Sequence, residues 1–140
     1  MPTAQRNFNR HLDSLAMVSN LIDEFTADKR VDEQAKNAVA VAVDELFTSL
    51  VKYQPSNKYP ITVELRADGE TLTVHLIDRD ADRLGTAKKV TPFTRSLLDQ
   101  QTPAALSLFR TRRLMDDVQY RYGDSTSLII LKKRFQRHYV

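Results

Sequence analysis

The chain has 140 residues, 41% of them hydrophobic and 28% charged, a balance that suits one globular domain with a real core, and we expect a single domain over 1–140. It has no cysteine, which excludes disulfides, thiolate metal sites and cysteine nucleophiles, and the longest apolar run, Ala38 to Val43, is far short of the roughly 18 residues that cross a bilayer. No apolar signal region follows Met1, so a cytoplasmic protein without membrane association is expected. The net charge of +3 comes mainly from two late basic runs, Arg110 to Arg113 and Lys132 to His138. These are expected to be a solvated helix face and a frayed terminus rather than a single-strand-binding surface.

In chain order, Arg6 to Arg10 alternates weakly and predicts a short edge strand. Leu15, Val18, Leu21, Ile22 and Phe25 recur at helical spacing, with Asp13 or Ser14 as cap, so a helix is expected to end near Asp28. Asp32 is the expected cap of a second helix reaching Tyr53, where Gln54-Pro55-Ser56-Asn57 stops it; its apolar stripe is Val39, Val43, Leu46, Leu50 and Tyr53. Ile61, Val63 and Leu65 alternate, Asp68-Gly69 turns the chain, and Leu72, Val74 and Leu76 alternate again, which predicts a hairpin. Residues 79–102 are polar and poorly periodic and read as a lid. Thr102-Pro103 opens a helix expected from Ala104 to about Asp116. Val118, Tyr120 and Tyr122, a turn at Gly123-Asp124 and the run Leu128 to Leu131 close the chain as a second hairpin. This order predicts an α+β fold, a two-layer α/β sandwich with helices on one face of a mostly antiparallel sheet.

On the second helix, Glu45, Ser49 and Lys52 share a face distinct from the apolar stripe. Taken alone such a polar face is solvated. The segment Val41 to Tyr53, however, resembles the N box of histidine-kinase-like (GHKL) ATPases, and specifically the anti-sigma-factor serine kinases of bacterial partner-switching systems. The resemblance runs on through the strand that closes at Asp78, the lid-like segment, the helix before Leu114-Met115-Asp116-Asp117-Val118, and a closing hairpin over Tyr120 to Phe135. It implies that Glu45 corresponds to the general base, that Asp78 corresponds to the aspartate reading the adenine amino group, and that Ser49 stands where the family carries a magnesium-ligating asparagine. Lys52 and Ser107 complete the nucleotide-binding residues the resemblance suggests.

ATP and Mg²⁺ are the cofactors so implied, but the glycines that let backbone approach a phosphate are missing. Of three glycines, Gly69 and Gly123 fall in hairpin turns and Gly85 is isolated; Asp80 replaces a motif glycine, Ala105 and Ser107 replace others, and Asp80 and Asp82 would repel triphosphate. Nucleotide binding and kinase activity are therefore expected to be weakened or lost. Asp78 equally suits a turn cap, no histidine pair has metal-ligand spacing, and neither Ser49 nor Ser107 has a neighbouring histidine to activate it. The expected function is a regulatory, homodimeric protein-binding module that meets a sigma factor or an anti-sigma-factor antagonist. The alternatives are an active protein serine kinase with Glu45 as base, and a basic nucleic-acid-binding domain.

Overall fold

In a computed structural model, residues 3–53, 58–79 and 103–137 are described. The elements are β1 (Thr3–Phe8), α1 (Leu15–Asp28), α2 (Glu33–Tyr53), β2 (Ile61–Asp68), β3 (Thr71–Arg79), α3 (Pro103–Arg112), β4 (Asp117–Gly123) and β5 (Thr126–Arg134). All five strands join one antiparallel sheet in the order β1-β2-β3-β5-β4, as the alternating segments predict. Ile61, Val63, Leu65, Leu72, Val74, Leu76, Tyr120, Ile129 and Leu131 point to the covered face and are buried. Helix α2 lays Val39, Val43, Leu46, Phe47 and Leu50 on them, and α1 adds Val18, Leu21, Ile22 and Phe25. Phe8 meets Phe47 edge to face at 6.3 Å, which seals the core under the β1 edge. No helix among the described residues is long and apolar enough to cross a membrane.

Several local expectations are corrected. The first strand lies at Thr3–Phe8 rather than Arg6 to Arg10, because it pairs with β2 from Thr3↔Arg66 to Phe8↔Ile61 and leaves the sheet before Arg10. Ser14 stands at the N-cap position of α1, as expected, but its side chain makes no capping hydrogen bond. A 3₁₀ turn over Leu12–Ser14 precedes the helix, His11 Nδ1 accepts from the Asp13 amide at 3.0 Å, and the Ser14 hydroxyl donates to the Asn9 carbonyl at 2.8 Å. At the other end Arg30 takes a left-handed φ of 59°, while Val31 N–H reaches Thr26 O and Arg30 N–H reaches Ala27 O; this is a Schellman ending built without glycine. Asp32 does cap α2, accepting from the Ala35 amide at 3.1 Å.

Helix α3 stops at Arg112, four residues before the expected end, because Asp116 is drawn to β5: its amide donates to Lys132 O, and its carboxylate accepts from the Arg134 amide at 2.6 Å. The last turn is centred on Asp124 and Ser125, both with positive φ, while Gly123 pairs with Thr126 as a strand residue. The terminus is no frayed tail as far as Arg137. Its guanidinium donates to the carbonyls of Lys29 and Gly69 at 2.8 and 3.0 Å and stacks over Phe135. The expected lid beyond Arg79, with Asp80, Asp82 and Gly85, lies outside the described residues, as do the helix-stop residues 54–57 and the Ala105 side chain.

Candidate functional site

Helix α2 carries the polar face anticipated from its spacing, and the fold decides what meets it. Its C-terminal half lies between α3 on one side and the open ends of β2 and β3 on the other, so two groups of charged side chains form around its last turns.

In the first group Glu45, Ser49 and Ser107 come together. Ser107 is buried on the inner face of α3 beside Leu108 and Thr111, and its Oγ lies 3.0 Å from Glu45 Oε2 and 3.0 Å from Ser49 Oγ. Ser107 is the donor in both contacts, so its one hydroxyl proton is shared between the carboxylate and Ser49 Oγ. Arg110, one turn further along α3, then closes on the same carboxylate with Nε at 2.9 Å from Oε1 and Nη2 at 3.2 Å from Oε2. This is the forked geometry that suits guanidinium and carboxylate. The Arg110 hydrogen bond, with that from Ser107 and the positive field of Lys52, outweighs burial and holds the Glu45 carboxyl below its ordinary range; Arg110 is raised in turn. A carboxylate so stabilised is a weaker base than a free one. Lys52 is exposed at the end of the same face and acts on Glu45 by its charge.

The second group centres on Asp78, buried at the end of β3. Arg10, buried just beyond β1, pairs with Asp78 Oδ1 and also donates to Leu50 O at 3.0 Å and Tyr59 O at 3.2 Å, so one guanidinium ties four segments together. Whether Asp78 also caps the turn after β3 lies outside the described residues. Among the described residues, its Oδ2 is buried without a hydrogen-bond partner. Burial pushes the Asp78 carboxyl up, against the opposing pull of Arg10. The other buried polar side chains Ser14, Thr26, Thr62, Ser107, Thr111 and Ser127 are all partnered, which marks this oxygen out.

Arg10 and Arg110 are the two residues that sequence reasoning missed. Arg110 was visible only as part of a basic run, and Arg10 only as the end of a strand it does not join. No run-level signal separates them from their neighbours. Both basic runs also turn out to border aromatic rings, Arg113 over Phe109 and Arg137 over Phe135, so these rings are engaged by the chain's own arginines.

The donors fit poorly to a metal-bound nucleotide in this arrangement. Both Glu45 oxygens and the Ser49 hydroxyl are engaged by α3, and a guanidinium stands where a divalent cation would need to approach the carboxylate. Among the described residues no group of three or more histidine, aspartate or glutamate side chains is placed to hold a metal ion. The described glycines, Gly69 and Gly123, belong to the two hairpins and make none of the contacts around Glu45.

The family model for the histidine kinase-like ATPase domain matches residues 8–133. No curated protein matches the chain. Among solved structures, the crystal structure of the RsbU and RsbW domains of Rv1364c from Mycobacterium tuberculosis superposes with a TM-score of 0.72 at 14% identity, covering 100% of this chain and 35% of that one. The chain therefore spans about a third of that protein, and at this identity the likeness is one of fold.

Proposed function

The chain belongs to the histidine kinase-like ATPase domain family, and we propose that within it the protein works as a regulatory protein-binding module of the anti-sigma type, in which binding has taken over from phosphoryl transfer. The observation that carries this reading is the forked contact of Arg110 with Glu45, backed by Ser107. It engages both oxygens of the residue that would otherwise serve as base. The same contact fixes α3 on α2, and α3 with the turn after it presents Phe109, Arg110, Arg112 and Arg113 at the surface. A basic surface with an exposed ring favours an acidic protein partner and speeds its encounter. A sigma factor or an anti-sigma-factor antagonist is the partner class that the family resemblance supplies.

The test is calorimetric titration of the purified protein with candidate sigma factors and antagonists, first without nucleotide and then with ATP and Mg²⁺. Binding without nucleotide, weakened at least several-fold when Arg112 and Arg113 are both changed to glutamate, is the expected result. Binding that requires Mg²⁺ and ATP, or phosphate transfer to a serine of the antagonist, would overturn it.

One observation favours a second reading, an ATP-dependent protein serine kinase: the buried Asp78 Oδ2, without a partner among the described residues, is an acceptor in need of a donor, and an adenine amino group is one. A radiolabelled phosphate-transfer assay against a serine-bearing antagonist separates the two.

A further inference from the structure

Resting on the family reading above, we propose that Arg110 is an internal cation latch. Its guanidinium takes the place beside Glu45 and Ser49 that the divalent cation of a bound nucleotide would need, and so holds α3 against α2 and keeps metal-bound nucleotide out until α3 is withdrawn.

The geometry has three parts. The first is satisfaction: Arg110 Nε and Nη2 address separate oxygens of Glu45 while Ser107 supplies a third donor to the same carboxylate and links it to Ser49. A hard cation would need these oxygens, so it and α3 compete for one set of ligands. The second is charge. Arg110 and Lys52 both act on Glu45, and their positive charge opposes the approach of a divalent ion to the carboxylate.

The third part is exposure. The Arg110 side chain is 56% exposed and that of Glu45 32%, whereas Ser107 is only 2% exposed. An ion pair at the surface is weak and screened by salt, so it can be displaced by a competing charge without unfolding the core. The buried Arg10–Asp78 pair, with side chains 4% and 1% exposed, has no such freedom. A latch must be breakable, and of the two arginines only Arg110 is placed to be.

The experiment combines calorimetric titration of ATP, with Mg²⁺ and with EDTA, and hydrogen exchange of the amides of residues 103–112. It compares the full wild-type chain with Arg110→Ala, Arg110→Lys and Glu45→Gln. In the wild type, Mg²⁺ should change ATP affinity by less than about twofold, or ATP should not bind up to about millimolar concentration. Arg110→Ala should speed exchange in α3 and gain at least about tenfold in affinity for ATP, only when Mg²⁺ is present. Glu45→Gln should speed exchange equally but gain no Mg²⁺ dependence, because it breaks the latch and removes the ligand together. Arg110→Lys keeps the charge without the fork and should fall between, which preserves the test if the alanine variant misfolds.

If α3 is released in Arg110→Ala or Arg110→Lys and ATP affinity in Mg²⁺ is unchanged, the latch idea is wrong while the protein-binding function stands. Failure of the Arg110 variants to speed exchange in α3 overturns the latch as well. A wild type that already binds ATP about tenfold more tightly with Mg²⁺ also overturns it. If that wild type also transfers phosphate to a serine, the proposed function falls with it.

Discussion

The two ends of helix α2 are built on different principles. At its N-terminus Asp32 accepts from the amides of Ala35 and Gln136, Asp32 N–H returns a bond to Gln136 O, Phe135 N–H reaches Glu70 O, and Arg137 fastens Lys29 to Gly69. Nearly every bond there uses backbone groups whose positions the fold sets. At the C-terminal end the bonds run largely between charged side chains, Arg10 with Asp78 and Arg110 with Glu45, and among the described residues one buried oxygen is left over. Satisfied backbone networks hold a fold; incompletely satisfied side-chain charges mark a place where something else can bind or move. The first end reads as a fastening and the second as a site.

The sharpest way to break this comparison is to remove one half of the buried pair. Arg10→Met strands Asp78 and frees the carbonyls of Leu50 and Tyr59, and is expected to lower unfolding free energy by about 3–5 kcal/mol, as is Asp78→Leu on its own. The double variant should lose clearly less than the sum, which chemical denaturation of the four proteins in a double-mutant cycle would measure. Additive losses would mean that the two residues do not act as a pair.

Next in size, Asp32→Ala removes a helix cap and the acceptor for Gln136 and should cost about 1–2 kcal/mol. Burial pushes the Asp32 carboxyl up, but the hydrogen bonds from the amides of Gln136, Ala35 and Asp32 itself, with the charge of Lys133, together hold it below its ordinary value of 3.8. The stability it contributes is therefore present above that value and lost as the pH falls through the lower folded value, so the gap between wild type and Asp32→Asn should close in acid melting curves. Asp78 works in the opposite sense. With its carboxyl raised by burial, its unfavourable contribution is present at neutral pH and is relieved as it protonates.

Smaller still is the exposed pair: Glu45→Gln should change stability by no more than about 1 kcal/mol, less in high salt, despite its good geometry. A loss of several kcal/mol in thermal melts would make this end a fastening too. The hairpin turns give the mildest test. Gly69 supplies the left-handed residue of the β2–β3 turn, near the fastened end, whereas Asp124 and Ser125 adopt positive φ without glycine near the other. Ser125→Gly should raise the melting temperature slightly, a gain of about 0.5–1 kcal/mol.

Most of the fold was legible because its signals are local. Alternation marked β2 to β5, helical spacing marked α1 and α2, and Asp32 was a cap by its position ahead of an apolar stripe. The misplaced boundaries have one cause: the extent of β1 and the end of α3 were decided by partners far along the chain, β2 for Thr3–Phe8 and the β5 backbone for Asp116. The candidate site was legible in its residue types and its face. Helical spacing put Glu45 and Ser49 on one face and the family resemblance named Ser107, but that Ser107 meets them is decided by the packing of α3 on α2.

By itself, then, the sequence determined the strands, the helices, the covered face of the sheet and the polar face of α2, since side-chain periodicity follows directly from backbone geometry. Only the tertiary structure decided which cations those carboxylates meet. Arg10 lies 68 residues from Asp78 and Arg110 lies 65 residues from Glu45, and nothing local distinguishes them from the other basic residues. Pairing depends on distances across packed elements, and its strength on how much water the packing removes. Neither quantity exists until the chain has folded.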